Sequence, residues 1–218
     1  MEIVAGRAET LPVGLLFDMA RYRYEVFVHR LGWPLETQGR LELDQFDRRD
    51  TVYVIGRDAE GRVIGTARLL PTHRPYLLAE VFPQLMAATP MPCTPRTWEL
   101  SRFAWLDLDA SAAGQRRDGD ARRALDFLRA VMRVAAAVGA RDLVSVSPLA
   151  IERILRRGNI PYRRAGAPTK VGDDMLFACA ISLDACHHEE GNARPASSIL
   201  PGRTWHRASR TRPVATAQ

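Results

Sequence analysis

The stretch Thr97-Trp98-Glu99-Leu100-Ser101-Arg102-Phe103-Ala104-Trp105, with the two segments that follow it, decides the fold of this chain. Its alternating side chains predict a β-strand. A helix is predicted from Asp120 to about Val138, because apolar residues recur there every three or four positions. The apolar run Leu143–Val146 predicts a second strand. A strand, a helix and a strand in this order favour a parallel pair joined by a crossover.

The segments on either side of this unit predict a mixed sheet. Upstream, a helix is predicted from about Val13 to Leu31, and Thr51–Gly56 and Arg62–Leu70 predict a hairpin. The downstream predictions are a helix at Pro148–Arg157 and strands at Ile160–Arg164 and Met175–Leu183. This order predicts an α/β fold with a central mixed sheet and helices on both of its faces.

Length and composition indicate one globular domain with a tail. Of the 218 residues, 46% are hydrophobic and 26% charged, which is typical of a globular protein. We expect the domain to span residues 1–184. Residues 185–218 are rich in Pro, Ser, Gly and Arg without periodicity, so we expect a basic, loosely ordered tail.

The sequence offers no secretory signal, no long apolar run and no disulfide framework, since its three cysteines are widely spaced. We therefore expect a cytoplasmic protein that does not bind a membrane. The net charge of +6 favours acidic partners, although biased composition is an open alternative. Nucleic acid is not expected, because no zinc-finger spacing or RNA-binding aromatic motif accompanies the charge.

Two clusters near the start of the chain mix charged and aromatic side chains. Arg23 and Phe27 lie one turn apart on the apolar face of the first predicted helix, where Arg23 either pairs with an anion or snorkels to the rim. Asp44 and Asp47 could bind a substrate ammonium or neighbouring arginines, or form a solvated acidic turn. They lack the ligand set of a calcium loop, so no metal site is expected.

The strand at 97–105 carries a candidate acid–base group. Regular alternation places Glu99 and Ser101 on one face and Arg102 on the opposite face. A carboxylate beside a hydroxyl could accept a proton from an amine nucleophile, directly or through water. The alternative is a structural network of Glu and Arg.

Two basic segments are candidates for binding an acyl donor. Arg116-x-x-Gly119-x-Ala121 opens a predicted helix and resembles the acyl-CoA-binding turn of the GCN5-related acyltransferases, although a plain helix start is an open alternative. Arg153, Arg156 and Arg157 form one face of a short helix, which suits either an acidic carrier protein or solvent.

Five motifs together resemble the LuxI-type acyl-homoserine-lactone synthases, from about Arg21 to about Gly158. They are Arg23-x-x-x-Phe27, Leu31-Gly32-Trp33, Asp44-Gln45-Phe46-Asp47, Gly65-x-x-Arg68-Leu69 and Trp98-Glu99-Leu100-Ser101-Arg102-Phe103. The resemblance implies a three-layer α-β-α sandwich like that of the GCN5-related acyltransferases. It also implies that the amine of S-adenosylmethionine attacks an acyl thioester, and that the product lactonises with loss of 5′-methylthioadenosine.

The resemblance also implies roles for individual residues. The S-adenosylmethionine site would comprise Arg23, Phe27, Trp33, Asp44, Asp47 and Arg102. Arg68 would order that site, and Glu99 with Ser101 would relay the proton. The acyl-chain pocket would comprise Phe82, Ser145, Ser147, Leu149 and Ile154. Ser145 stands where the family can carry a Thr that recognises an oxygenated acyl group, so that preference is not carried over.

The expected substrates are S-adenosylmethionine and either acyl-ACP or acyl-CoA, with no tightly bound cofactor and no metal. The phosphopantetheine or carrier contacts would be Arg116, Gly119, Arg153, Arg156 and Arg157. Two other readings stay open. One is a GCN5-like N-acyltransferase that uses acyl-CoA on another amine, and the other is a non-catalytic binding module that retains the pocket.

Overall fold

The computed structural model describes residues 1–87, 89–109, 119–184 and 186, and an eight-stranded mixed sheet lies at its centre. The strands are β1 (Glu2–Arg7), β2 (Val52–Arg57), β3 (Val63–Pro71), β4 (Thr97–Trp105), β5 (Asp142–Pro148), β6 (Tyr162–Arg164), β7 (Thr169–Val171) and β8 (Asp174–Ser182). They follow the order β1-β2-β3-β4-β5-β8-β6, with β7 paired to β8. The β4–β5 pair is parallel and its neighbours are antiparallel.

Helices cover both faces of this sheet. They are α1 (Val13–Arg23), which continues as a π-helix (Tyr24–Arg30), α2 (Leu77–Val81) with a 3-10 turn (Pro83–Met86), α3 (Asp120–Ala137) and α4 (Leu149–Arg157). On one face α3 and α4 pack against the largest apolar core, which includes Leu100, Leu143 and Phe177. On the other face α1 and α2 cover separate clusters. No helix in the described part of the chain is long and apolar enough to span a membrane.

The predicted strand-helix-strand unit and the α/β sandwich are confirmed. Two of the observed strands, β1 and β7, were not predicted from the sequence. β1 is a half-exposed edge strand without clear alternation, and β7 has only three residues, so neither leaves a strong periodic signal. The tail predicted at 185–218 lies outside the described residues apart from Cys186.

The parallel strands β4 and β5 separate after a short contact, and this separation positions the site. Their register covers only Thr97–Glu99 against Asp142–Val144. Both strands then continue, β4 to Trp105 and β5 to Pro148. The sheet is therefore open between the two carboxyl-terminal halves, which face each other across a gap.

Candidate active site

Three buried arginines and three carboxylates form a closed ring of alternating charge beside β4. Arg23 Nε lies 2.5 Å from Glu42 Oε2, and its two Nη atoms lie 2.8 and 3.0 Å from the Asp47 carboxylate. Arg68 Nη1 lies 2.5 Å from Asp44 Oδ1 and 3.1 Å from Asp47 Oδ2. We call these side chains, together with Arg102, the charge ring.

Arg102 closes the charge ring. Its Nε and Nη2 atoms donate to Glu42, with Nη2 at 2.9 Å from Oε1, and Nη2 also lies 2.9 Å from Asp44 Oδ2. Each carboxylate thus bridges two arginines, and the six charges sum to zero. Arg23 and Arg68 are fully buried, which excludes the alternative that Arg23 snorkels to the rim.

The charge ring holds its carboxylates in the ionised form. Burial opposes ionisation of Asp47, but Arg23 and Arg68 outweigh it and hold the pKa of Asp47 well below its usual range. The pKa of Glu42 is lowered in the same way, because Arg23 and Arg102 outweigh burial. Tyr53 donates from its hydroxyl to Asp47 Oδ1 at 2.7 Å.

A β-bulge in β4 turns Arg102 toward the charge ring. Arg68 is opposite Ser101 and Thr66 is opposite Ala104, so β4 has one more residue than β3 in this interval. Arg102 accordingly has a φ of 50°, in the left-handed region. The prediction that Arg102 points away from Ser101 is wrong, because regular alternation does not continue through a bulge.

Two aromatic rings stack beside Arg102. The ring centroids of Phe27 and Trp33 are 4.9 Å apart, and the Arg102 guanidinium lies 5.8 Å from the Phe27 centroid. The π-helix helps to bring the two rings together. Its turns are wider than those of an α-helix, and just beyond its end the Trp33 N–H donates a hydrogen bond of 2.9 Å to the Phe27 carbonyl. The helix predicted over Val13–Leu31 is therefore present and ends at Arg30, with π geometry over its last seven residues, Tyr24–Arg30.

Glu99 lies on the side of β4 that faces α2 and is fully buried. Its two carboxylate oxygens accept hydrogen bonds from the N–H groups of Leu77, at 2.9 Å, and Leu78, at 2.6 Å. Burial raises the pKa of Glu99 to about 7, although these N–H groups and two nearby arginines oppose the rise. Ser101 Oγ instead accepts from Arg68 Nε at 3.1 Å. The two members of the predicted relay thus have different partners.

A cavity of about 150 Å³ passes through the gap between β4 and β5. At one end it is lined by Phe27, Trp33 and Arg102, and at the other by Cys179 and Ile181 of β8. Leu128 of α3 and three residues of α4 complete the apolar wall. The cavity therefore joins a charged, aromatic end to an apolar end. Such a shape suits a ligand with a polar head and a hydrocarbon chain.

A sequence model of the autoinducer synthases matches residues 13–190. This chain belongs to the autoinducer synthase family. An acyl-homoserine-lactone synthase of Acinetobacter nosocomialis is 42% identical over 183 residues, which are 84% of this chain and 100% of that protein. The synthase function expected from the sequence is thereby confirmed.

Solved structures agree with this assignment. TofI, solved in a ternary complex with an inhibitor and MTA, is 42% identical with a TM-score of 0.73 over 90% of this chain and 99% of TofI. BjaI, a CoA-dependent acyl-homoserine lactone synthase solved with SAM and isopentyl-CoA, is 28% identical with a TM-score of 0.74 over 87% and 89%. A putative N-acetyltransferase from Lactobacillus plantarum, 16% identical with a TM-score of 0.54, shares the fold alone.

In this autoinducer synthase the predicted acyl-pocket residues divide into two groups. Ser145, Ser147 and Ile154 line the cavity, and the two serine hydroxyls are 3.3 Å apart. Leu149 packs against the large core instead. Phe82 packs against the cluster that includes Phe46 and Leu70, on the opposite face of the sheet, and its predicted place in the pocket stays a prediction.

The predicted donor-binding residues lie on two elements. Arg153, Arg156 and Arg157 are exposed on α4, where Arg156 donates to Tyr162 and pairs with Glu152. Gly119 precedes α3 with a φ of 107°. Arg116 lies outside the described residues. The three arginines on α4 therefore form an exposed basic face.

Sequence reasoning missed two members of the site. They are Glu42, which lies in the loop just before Asp44, and Tyr53, which lies in β2. Glu42 lies two positions before Asp44, which is the only signal that could have drawn it into the cluster. In the described part of the chain, no group of three or more His, Cys, Asp or Glu side chains could hold a metal ion.

Proposed function

We propose that this synthase transfers an acyl group from a thioester to the amine of S-adenosylmethionine, and then closes a lactone with release of 5′-methylthioadenosine. The single observation that carries this assignment is the cavity that joins the Phe27–Trp33 stack and Arg102 to an apolar end through the β4–β5 gap. The charged head and the hydrocarbon chain meet at the gap, where the new amide bond forms.

In this proposal the charge ring and the aromatic stack form the S-adenosylmethionine site. Glu42 and Asp44 pair directly with Arg102 at the cavity wall, and Arg23 and Asp47 continue the ring of ion pairs behind them. The stacked rings of Phe27 and Trp33 offer π-faces to the adenosyl group or the sulfonium. Because the six charges of the ring sum to zero, it adds no excess charge that would repel the cationic sulfonium.

Glu99 is the proposed base for the amine. A carboxyl group with a pKa of about 7 is well matched to proton transfer near neutral pH. Its present hydrogen bonds to Leu77 and Leu78 leave additional oxygen lone pairs for an ammonium or a bridging water. Ser101, which lines the cavity, is the proposed second member of the relay.

The acyl chain is proposed to lie along Ser145, Ser147 and Ile154, and the donor is an acyl-ACP or an acyl-CoA. The exposed arginines Arg153 and Arg157 on α4 favour an acidic carrier. The same helix lines the apolar wall of the cavity through Ile154, so a donor bound there would be adjacent to its acyl group.

The direct test is incubation of the full chain with S-adenosylmethionine and a panel of acyl-ACPs and acyl-CoAs, followed by mass detection. The expected products are an acyl-homoserine lactone and 5′-methylthioadenosine. Absence of both with every donor contradicts the proposal. An acylated product from another amine without S-adenosylmethionine would assign the chain to general N-acyl transfer instead.

A further inference from the structure

Helix α4, which forms one wall of the cavity, buries a charged side chain. Its two buried residues are Leu155, which lines the cavity, and Glu152, which is 8% exposed. They are three positions apart and therefore lie on the same face of the helix. A carboxylate on the buried face of a nine-residue helix is costly unless it is paired. The attachment of α4 to the sheet therefore depends on the partner of Glu152.

This partner is Arg164 of β6. Its Nε and Nη2 atoms donate to the two oxygens of Glu152 at 2.8 and 2.7 Å, a two-point arrangement that is among the strongest a carboxylate makes. The Arg164 guanidinium also lies 5.9 Å from the ring centroid of Phe177 in β8. We call Glu152 and Arg164 the clamp, because together they join α4 to the edge of the sheet.

The clamp lies behind the apolar end of the cavity. Cys179 of β8 lines that end, and it is directly opposite Ser145 of β5 on one side and Arg164 of β6 on the other. Directly opposite residues of antiparallel strands point to the same face of a sheet, so these three residues form one row. Ser145 and Cys179 line the cavity, and Arg164 lies one strand beyond them. A hydrocarbon chain that extends along this row past Cys179 therefore reaches the clamp.

The clamp also fixes the side chains that α4 contributes to the cavity. Ile151 and Leu155, which lie on either side of Glu152 along the helix, both line the cavity. A displacement of Glu152 from the sheet would move them as well. A second bond between α4 and β6, from Arg156 to Tyr162, is exposed to solvent and involves a neutral acceptor. The clamp is therefore the stronger of the two connections.

We propose that the clamp is a positioning pair that sets the longest acyl chain the synthase accepts, by holding α4 against β8 and β6. This inference rests on the proposed function and names what limits the acyl end of the same cavity. The two residues act through α4 and do not touch the reacting atoms. When the clamp is released, α4 moves outward and the apolar end of the cavity lengthens toward β6. Hydrogen bonds from Arg164 lower the pKa of Glu152 to about 2, so the clamp is charged near neutral pH.

The test measures product ratios when two acyl donors compete in one reaction. The donors carry the longest saturated chain that the wild type uses and the next even-numbered homologue. Glu152→Gln keeps the size of the side chain and removes its charge, so the ratio is expected to shift at least about threefold toward the longer chain. Arg164→Gln is expected to shift it in the same direction. The double variant should shift it no further than either single variant, because the two residues act as one unit.

Two control variants separate the clamp from other effects. Tyr162→Phe removes the exposed bond between the same two elements and is expected to keep the wild-type ratio. Ile55→Val loosens a core on the other face of the sheet, so it is expected to lower the urea midpoint and keep the ratio. Partial unfolding lowers both products equally, so the ratio does not respond to it. The KM for the acyl donor should change in Glu152→Gln, whereas the KM for S-adenosylmethionine should not.

Three results would overturn the proposal. They are an unchanged ratio in Glu152→Gln and Arg164→Gln, a double variant whose shift is the product of the two single shifts, and an equal shift in Ile55→Val. If Glu152→Gln does not fold, Arg164→Gln decides between the outcomes, because the Arg164 side chain is partly exposed. Wild-type failure to make lactone from any donor contradicts the proposed function instead.

Discussion

Arg102 and Glu42 form a two-point ion pair in the interior even though Arg102 has a left-handed backbone conformation. Such a conformation is unfavourable for an Arg, so surrounding contacts must hold it. Glu42 holds Arg23 with its other bond, and Asp44 holds Arg102 from a second side. The strained residue at the cavity wall thus depends on the whole charge ring.

Glu42→Gln is expected to destabilise the protein by about 3–5 kcal/mol, because it leaves two buried arginines short of one negative charge. Urea unfolding followed by circular dichroism measures the change. Glu60→Gln removes a carboxylate from the exposed pair with Arg62 and is the matched control, with an expected effect below about 1 kcal/mol. Equal stability of the two variants would contradict the structural role of Glu42.

The sequence predicts most of the architecture but only part of this site. Arg23 and Asp47 could be recognised because charges on an apolar stripe and in a short loop need partners. The direction of Arg102 could not be predicted, because a bulge depends on pairing with β3 and has no local signature here. The packing of Phe82 could not be predicted for a related reason: tertiary packing decides which cluster a residue directly after a five-residue helix contacts.

The wild-type rate is expected to rise with pH through about 7 and then level off, because Glu99 acts as a base only when it is ionised. Glu99→Gln removes this ionisation and is expected to lower kcat at least about a hundredfold. Initial rates of 5′-methylthioadenosine release between pH 5.5 and 9 measure both effects. Glu80→Gln, on the exposed side of α2, should retain the wild-type profile.

The raised pKa of Glu99 should also make the free energy of unfolding depend on pH. Since the folded state binds the Glu99 proton more tightly than the unfolded state, stability from this group is present at low pH and is lost as pH rises through about 7. The uncharged Gln in Glu99→Gln does not incur this loss. Relative to the wild type, the variant should gain up to about 3 kcal/mol between pH 5 and pH 8. A pH-independent difference in urea unfolding would refute the raised pKa.

Trp33→Ala is expected to raise the KM for S-adenosylmethionine about tenfold, because it removes the partner of Phe27 in the stack and one π-face of the proposed site. The KM for the acyl donor should change little. Steady-state kinetics with each substrate varied in turn measures the split. Phe17→Ala, which removes a ring that is 56% exposed on α1, is the control and should leave both constants unchanged.

Ile154→Ala is expected to shift the preferred acyl chain to longer homologues, because Ile154 lines the apolar part of the cavity. One methylene in such a pocket changes selectivity about tenfold or more. Leu149→Ala on the same helix is the matched control, since Leu149 packs into the core and does not line the cavity. The ratio of products formed from competing acyl donors measures the chain-length preference. A shift in both variants would indicate that α4 as a whole has become less tightly packed.

Arg153→Glu combined with Arg157→Glu is expected to raise the KM for acyl-ACP severalfold, most strongly at low ionic strength. Arg7→Glu is the control, because Arg7 is exposed on β1 at the opposite edge of the sheet. Kinetics with acyl-ACP and acyl-CoA distinguish the two donors. No effect with either donor would remove α4 from the docking surface.

In the proposed function, the separation of β4 and β5 divides the site into a part that carries out the reaction and a part that selects the acyl chain. Arg102 and the charge ring lie at one end of the gap, whereas β5, β8 and α4 build the wall at the other. Substitutions in that wall leave the ion pairs untouched. Under the proposed function, changes at a few wall residues would therefore alter the acyl chain of the product without altering the reaction.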